Sequence, residues 1–301
     1  MSPRQSFELK IRGPFDFQRV FRDVTRAPFQ LTEIVNENAM SGVFPIGTGL
    51  VGAQIEGSGE VEDVQISVTW EVLSGQVGSE EIKSYFRDLF QTDVDLGKFY
   101  RHVSGDEVLA SLTTRLYGFK FIRKHSFFEA MATAIIDQQL NVAFATTLRE
   151  RFIRQFGRRI EWRGASHHIF PQPQDLTDVT PAVLRPLQFS QRKAEYILDI
   201  AGALRERTLR PEALAGLDDA ALLQALMTLR GVGRWTAEYV GMMAFGRVDY
   251  LPAADIGLQR AIQLLYKLPE RPTEAEVRIR GEAWRPFRGL ATFYLWHALE
   301  A

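Results

Sequence analysis

A short block between residues 229 and 259 constrains the fold of this chain more than any other stretch. Gly231 and Gly233 lie two residues apart at the start of a helical pattern, and glycine adopts positive φ without steric cost. The pair predicts a tight hairpin whose backbone N–H groups point outward at the positive end of the next helix, a geometry that suits a phosphate. Asp255 follows that helix, after an apolar turn and ahead of a second helical pattern.

Each half of this block also has an ordinary structural explanation. A Gly-x-Gly pair is in most cases a simple turn between helices, and an Asp near a helix start is usually an N-cap. Found together at this spacing, the hairpin and the carboxylate resemble the helix-hairpin-helix DNA glycosylases. Arg234-Trp235-Thr236-Ala237 followed by Tyr239 is similar to the alkylpurine branch of that superfamily.

The resemblance covers residues 100–301 and is strongest over 229–259 and 284–296. Phe170-Pro171-Gln172-Pro173 resembles the Phe-Pro-x-Pro linker of the superfamily. Residues 187–194 resemble its Gly-x-Ser-x-x-Lys-Ala segment, with Gln188 where Gly is commoner. The resemblance, and not the composition, implies two helical subdomains with the active site between them.

The resemblance also implies that Asp255 is the catalytic carboxylate of an N-glycosylase. Cleavage of the C1′–N bond builds positive charge on the sugar, which a pre-placed carboxylate stabilises while it orients or activates water. Bifunctional members place a lysine at the position of Trp235, and its amine attacks C1′ to form a Schiff base. Indole cannot form that adduct, so we expect a monofunctional enzyme that leaves an intact abasic site.

Three aromatic residues match the base pocket of the alkylpurine branch. Trp235 and Tyr239 lie four residues apart and therefore share one helix face, and Trp296 matches a third position. An aromatic cleft attracts a cationic ring by about 0.5–2 kcal/mol, so it can select methylated bases by their charge. The alternative is that each ring belongs to the hydrophobic core.

The resemblance predicts DNA contacts at the hairpin and at one helix end. These residues are Gly231, Gly233, Arg234, Thr236, Gln139 and Leu140. In the superfamily, a side chain at the Gln-Gln stretch enters the hole left by the extruded nucleotide and offsets part of the lost stacking. Gln139 matches this wedge position best and Leu140 second, although a solvated helix end explains a Gln pair equally well.

No protein side-chain metal site is evident from the spacing of the five histidines, and His167-His168 is predicted in a loop. In the superfamily a monovalent cation often bridges hairpin carbonyls and a phosphate, and we expect no other cofactor. The chain has no cysteine, which excludes disulfides, Cys-ligated zinc and the iron–sulfur cluster of other branches.

Charge is distributed unevenly along the chain. Residues 1–110 hold 10 Lys and Arg against 17 Asp and Glu, a net charge of −7, whereas residues 111–301 hold 26 against 20, a net charge of +6. DNA is therefore expected to meet the second part, where positive charge displaces phosphate counterions. The alternative is that the asymmetry serves only solubility.

The predicted fold class is α+β. Residues 1–100 alternate apolar and polar positions around 7–12, 43–46, 50–55 and 64–70, which predicts an antiparallel sheet with helices on one face. From Ser79 the pattern turns helical and stays so, and the resemblance implies that residues 101–301 form the helical glycosylase region.

Two capping boxes and a basic segment lie in that helical region. Ser126 with Glu129, and Thr273 with Glu276, predict capping boxes. The six arginines of residues 149–163 are interpreted as a solvated helix face.

The sequence therefore predicts a base-excision repair enzyme that acts on alkylated bases in damaged double-stranded DNA. The alternatives are a glycosylase for deaminated or oxidised bases, and a non-catalytic helix-hairpin-helix clamp on DNA. We expect a monomer that hands its abasic product to an endonuclease. With no apolar run of about 18 residues and no signal-peptide core, we also expect no membrane contact and a cytoplasmic, or in a bacterium nucleoid-associated, location.

Overall fold

An antiparallel sheet of five strands opens the molecule. The computed structural model describes residues 4–24, 31–36 and 39–298. The strands are β1 (Gln5–Lys10), β2 (Glu33–Asn36), β3 (Ala39–Ile46), β4 (Gly49–Ser58) and β5 (Gln65–Ser74), in the order β1-β5-β4-β3-β2. The predicted sheet is confirmed, although the short strand β2 was not foreseen because four residues carry little periodicity.

Helices make up most of the remaining described chain. They are α1 (Phe17–Val24), α2 (Ser79–Leu89), α3 (Leu96–His102), α4 (Glu107–Arg115), α5 (Phe127–Asp137), α6 (Val142–Phe156), α7 (Pro181–Leu184), α8 (Gln191–Arg205), α9 (Pro211–Ala215), α10 (Asp219–Met227), α11 (Arg234–Phe245), α12 (Ile256–Leu265), α13 (Glu274–Gly281) and α14 (Arg288–His297). The α+β class is therefore confirmed. None of the helices in the described parts of the chain has the length and hydrophobicity needed to span a membrane.

The helical pattern is interrupted by a hairpin that the sequence analysis missed. Residues Arg159–Trp162 and Ala165–His168 form antiparallel strands β6 and β7, so the expectation of a continuous helical region and of His167-His168 in a loop was wrong. Arg158, Arg159 and Arg163 likewise lie beyond the end of α6, off the predicted helix face. Trp162 explains the difference: it is buried against residues of the N-terminal sheet and donates to Glu71 at 2.9 Å, a long-range contact that local periodicity does not reveal.

Helix starts follow the predicted capping residues with one change. Thr273 and Glu276 form the expected capping box. Ser126 caps α5 by accepting from the N–H of Glu129 at 3.0 Å. The Glu129 carboxylate, however, accepts from the N–H of His125 rather than from that of Ser126, so the second predicted box is incomplete.

The two largest hydrophobic clusters of the described residues organise the fold. The first joins the sheet and α1–α4 to α12–α14, so the end of the chain returns to the core of its beginning. The second lies among α5, α6, α8, α10 and α11. Trp296 packs against both clusters, which places its ring between the two halves. The domain boundary at residues 100/101 remains a prediction.

Candidate active site

The two glycines of the hairpin between α10 and α11 have different surroundings. Gly231 has φ +81°, and a Cβ there would collide with the ring of Tyr196 on α8. Gly233 is extended, with φ −87°, and a Cβ there would meet nothing within 4 Å. The turn therefore packs against α8 at Gly231, whereas the space beside Gly233 is open to an approaching molecule.

Helix α11 begins without a side-chain cap. Gly233 occupies the N-cap and supplies no side chain, whereas Ser126, Ser190 and Asp255 cap α5, α8 and α12. The first N–H groups of any helix lack partners within that helix. At α11 these donors, together with the positive end of the helix dipole, are available to an anion.

The predicted pocket residues lie together. Trp235 and Tyr239 share one face of α11, with ring centroids 5.8 Å apart and planes tilted by 25°. The Trp296 ring, from α14, lies 6.5 Å from that of Tyr239 at 47°. The three rings are only partly buried and together form the surface that we call the aromatic cleft.

Asp255 stands beside this cleft and accepts hydrogen bonds on both carboxylate oxygens. Its Oδ1 accepts from the N–H of Leu258 at 2.7 Å and from the indole of Trp296 at 2.9 Å. Its Oδ2 accepts from the indole of Trp235 at 3.0 Å. Asp255 is therefore an N-cap and a pocket carboxylate at once. The sequence placed these residues near one another but did not predict the two indole bonds.

Tyr239 keeps its phenolic proton. Burial raises its pKa first and most, the charges of Asp137, Glu129 and Asp255 raise it further, and Arg149 lowers it. The cleft thus contains one neutral hydroxyl that can donate to a bound base.

The side chains of Arg234 and Thr236 are both engaged within the protein. Arg234 is half exposed and donates to Glu238 at 3.0 Å; that buried carboxylate also binds Arg278 at 2.8 Å. Arg278 also binds the carboxylate of Glu274 at 2.7 Å, so these four side chains add no net charge beside the hairpin. Thr236 is buried and accepts from Gln138 at 3.0 Å, so only its backbone N–H faces the predicted phosphate site.

The predicted wedge lies in the turn between α5 and α6. Gln139 is exposed and has φ +55°, whereas Leu140 is half-buried and packs against the second hydrophobic cluster. The arrangement favours Gln139 as the projecting side chain. Sequence reasoning missed its neighbour Gln138, whose amide donates to the carbonyl of Gly231 at 2.9 Å.

No group of three or more His, Asp or Glu side chains with metal-binding geometry occurs in residues 4–24, 31–36 and 39–298. The hairpin offers backbone carbonyls instead. That of Gly231 is engaged by Gln138 and that of Leu229 by the N–H of Val232. The Val232 carbonyl receives no hydrogen bond from any residue that the structure describes.

Comparison with known proteins agrees with this arrangement. Residues 132–286 match the family model of the HhH-GPD superfamily base excision DNA repair proteins. A DNA-3-methyladenine glycosylase of Bacillus subtilis is 33% identical over 220 residues, which cover 73% of this chain and 73% of that protein.

Solved structures show the same relationship. A 3-methyladenine DNA glycosylase from Archaeoglobus fulgidus has a TM-score of 0.82 and 26% identity, over 96% of this chain and 97% of that one. The 3-methyladenine DNA glycosylase Mag1 of Schizosaccharomyces pombe, in complex with abasic DNA, has a TM-score of 0.58 and 27% identity, over 68% and 97%. The chain therefore belongs to the helix-hairpin-helix superfamily of base excision DNA repair proteins.

Proposed function

We propose that this protein is a monofunctional DNA glycosylase that hydrolyses the N-glycosidic bond of alkylated bases, of the 3-methyladenine and 7-methylguanine type, in damaged double-stranded DNA. The observation that carries the proposal is the placement of Asp255, whose two oxygens accept from Trp235 and Trp296 beside an aromatic cleft. Relatives that are named 3-methyladenine glycosylases support the same substrate class.

The chemistry requires one well-held carboxylate. As the C1′–N bond breaks, the base leaves with the bonding electrons and positive charge develops on the sugar next to Asp255. Water then adds to C1′ and loses a proton, which gives a free base and an abasic site. Because three donors already fix Asp255, its charge needs little reorganisation to stabilise the transition state.

Charge selects the substrate in this proposal. An alkylated purine carries positive charge, so it leaves without the acid catalyst that most sugar hydrolases need. The rings of Trp235, Tyr239 and Trp296 attract that charge by about 0.5–2 kcal/mol. Selection by charge rather than by a hydrogen-bond pattern gives broad specificity among alkylated bases.

The monofunctional outcome follows from Trp235. An attacking amine at this point of the hairpin would form a Schiff base with C1′ and lead to strand cleavage. The indole nitrogen of Trp235 instead donates its hydrogen to Asp255. Water is then the nucleophile, and the sugar-phosphate chain stays intact.

DNA is held at the hairpin and opened at the wedge turn. The uncapped start of α11 receives a phosphate near the lesion, and Gln139 fills the place of the extruded nucleotide. The Val232 carbonyl would help to hold a monovalent cation, which would neutralise part of the charge of a bound phosphate. A dependence of DNA affinity on Na⁺ or K⁺ at constant ionic strength tests the cation.

The protein is proposed to act as a monomer inside the cell, in contact with chromosomal DNA. Its product, an abasic site, is a substrate for an endonuclease that cuts the sugar-phosphate chain. Sedimentation with and without a duplex oligonucleotide tests the one-to-one stoichiometry.

A substrate panel tests the proposed function. We expect single-turnover release of 3-methyladenine and 7-methylguanine from alkylated duplex DNA, and at least about tenfold slower release of uracil, hypoxanthine and 8-oxoguanine from matched duplexes. Release of a deaminated or oxidised base but of no alkylated base would contradict the substrate class. Tight duplex binding without any release would contradict the enzymatic proposal itself.

A further inference from the structure

Lys193 makes no contact with the aromatic cleft or the hairpin, yet it is directed inward at the end of α5. Its Nζ donates to the carbonyl of Ile136 at 2.6 Å and to that of Gln138 at 2.7 Å. Carbonyls in the last turn of a helix lack partners within the helix, and a cation there also interacts favourably with the helix dipole. Lys193 therefore fixes the point at which α5 ends and the wedge turn begins.

Gln138 ties the same turn to the hairpin. Its side-chain amide donates to the carbonyl of Gly231 at 2.9 Å and to the hydroxyl of Thr236 at 3.0 Å. One residue thus connects the end of α5 with the hairpin and with the first turn of α11.

An ion pair joins the last residue of α5 to α6. Arg149 of α6 binds the carboxylate of Asp137 and also donates to Thr146 at 2.9 Å. Side chains of α6, α8 and α11 therefore all bind the end of α5 or the turn that follows it.

Of the four turn residues, Gln139 alone has a side chain without an internal role. Gln138 bonds to the hairpin, Leu140 packs against the second hydrophobic cluster, and Asn141 caps α6 by accepting from the N–H of Phe144 at 2.9 Å. Gln139 is exposed, in the left-handed region that non-glycine residues rarely adopt. Such a conformation persists only where the surroundings enforce it.

We infer that Lys193 and Gln138 are positioning residues that hold the wedge Gln139 at a fixed distance and angle from the phosphate-binding hairpin. The inference rests on the proposed function, because it takes Gln139 to be the side chain that enters the duplex. If the wedge turn moved relative to the hairpin, the protein would still bind DNA. Gln139 would then enter the space left by the extruded nucleotide less often. The two residues therefore act on base extrusion and not on bond cleavage.

The first test measures wedge insertion without catalysis. A duplex with an abasic analogue opposite 2-aminopurine reports entry of a side chain as a change in fluorescence. We expect Lys193→Met and Gln138→Leu to slow or reduce this change at least about fivefold at saturating protein. Arg205→Met is the matched control, because Arg205 also donates from α8 to a backbone carbonyl, that of Pro173 at 2.9 Å. It lies about 18 Å further along the helix, at 1.5 Å per residue.

The second test separates extrusion from chemistry. Single-turnover release of 7-methylguanine is compared between a paired lesion and the same lesion in a one-nucleotide bulge, where extrusion is easier. We expect the release rate of the Lys193 and Gln138 variants to fall about tenfold on the paired lesion and less than about twofold on the bulged lesion. The release rate of Arg205→Met should not change on either lesion. Thermal melting of each variant identifies any loss of folding. Lys193→Arg is included as a variant that retains a cation at this position.

Unchanged fluorescence in both variants would overturn the inference, and so would an equal loss on paired and bulged lesions. If wild type shows the fluorescence change, both variants lose it and wild type releases no alkylated base, the proposed function is refuted while the positioning role is supported.

Discussion

Trp296 donates its indole N–H to Oδ1 of Asp255 at 2.9 Å, across 41 residues of chain. A pocket aromatic is ordinarily credited with stacking alone, but this contact also orients the carboxylate. Trp235 makes the matching bond to Oδ2. Two rings of the cleft therefore also orient the Asp255 carboxylate. Replacing either ring changes the hydrogen bonding of that carboxylate.

Substitution of Trp296 by Phe separates the two roles. Phe keeps an aromatic face but cannot donate to Asp255, and a hydrogen bond to a charged acceptor contributes about 1.5–3 kcal/mol. We expect the single-turnover rate for 7-methylguanine to fall by about 10- to 100-fold. The rate of Trp296→Ala should fall further, because this substitution also removes the aromatic ring. Full activity of the Phe variant beside an inactive Ala variant would mean that stacking alone matters.

The two hairpin glycines should respond differently to Ala. Gly231→Ala places a Cβ at φ +81° against the ring of Tyr196, so we expect a loss of at least about 1–2 kcal/mol in the free energy of unfolding. Gly233→Ala meets open space and should cost less than about 1 kcal/mol, yet its methyl group would obstruct a phosphate. We expect it to weaken duplex binding about tenfold, or about 1.4 kcal/mol. Urea unfolding and fluorescence anisotropy measure the two effects, and equal DNA affinity of Gly233→Ala and wild type would contradict the assignment of the hairpin.

The absence of a Schiff base is tested by borohydride trapping. We expect no covalent protein–DNA adduct, because Trp235 offers no amine to C1′. A bifunctional glycosylase with a hairpin lysine is the positive control. A trapped adduct, with strand cleavage before alkali treatment, would refute the monofunctional mechanism.

His125 joins the N-terminal sheet to the start of α5 and should make stability depend on pH. It contacts the carboxylate of Glu33 and the hydroxyl of Tyr85, the latter at 2.8 Å. Burial lowers its pKa, but the charges of Glu33 and Glu129 and the bond to Glu33 outweigh burial and the charge of Lys124, so the pKa lies above its usual value.

A raised pKa means that the folded state favours the protonated ring. The resulting stability is present in full below the unfolded pKa of about 6.5 and is lost as the pH rises through the folded pKa. We expect the free energy of unfolding to fall over that window, and His125→Gln to abolish this part of the fall. His102→Gln, at an exposed position, is the control; an unchanged pH profile in the His125 variant would contradict the assignment.

The sequence predicted the parts of the site that depend on local spacing. The turn at Gly231 and Gly233 and the N-cap at Asp255 follow from turn and cap chemistry, whereas the expected site roles of Asp255 and Trp296 follow from the resemblance to the superfamily. Gln138 and Lys193 were not recognised as structural partners of the hairpin and wedge, because their bonds run from side chains to carbonyls of distant elements. The β6–β7 hairpin was missed for a similar reason, since Glu71, the hydrogen-bond partner of Trp162 in the sheet, lies 91 residues earlier in the chain.

The central claim is that Asp255 stabilises the transition state for release of an alkylated base. Asn caps a helix about as well as Asp, so Asp255→Asn should retain the bond to Leu258 and the fold while removing the charge. The decisive measurement is single-turnover release of 3-methyladenine and 7-methylguanine from alkylated duplex DNA by wild type and Asp255→Asn, with melting temperatures recorded for both. We predict release by wild type and a loss of at least about 100-fold in a variant that melts normally. Equal release by the two proteins would contradict the claim.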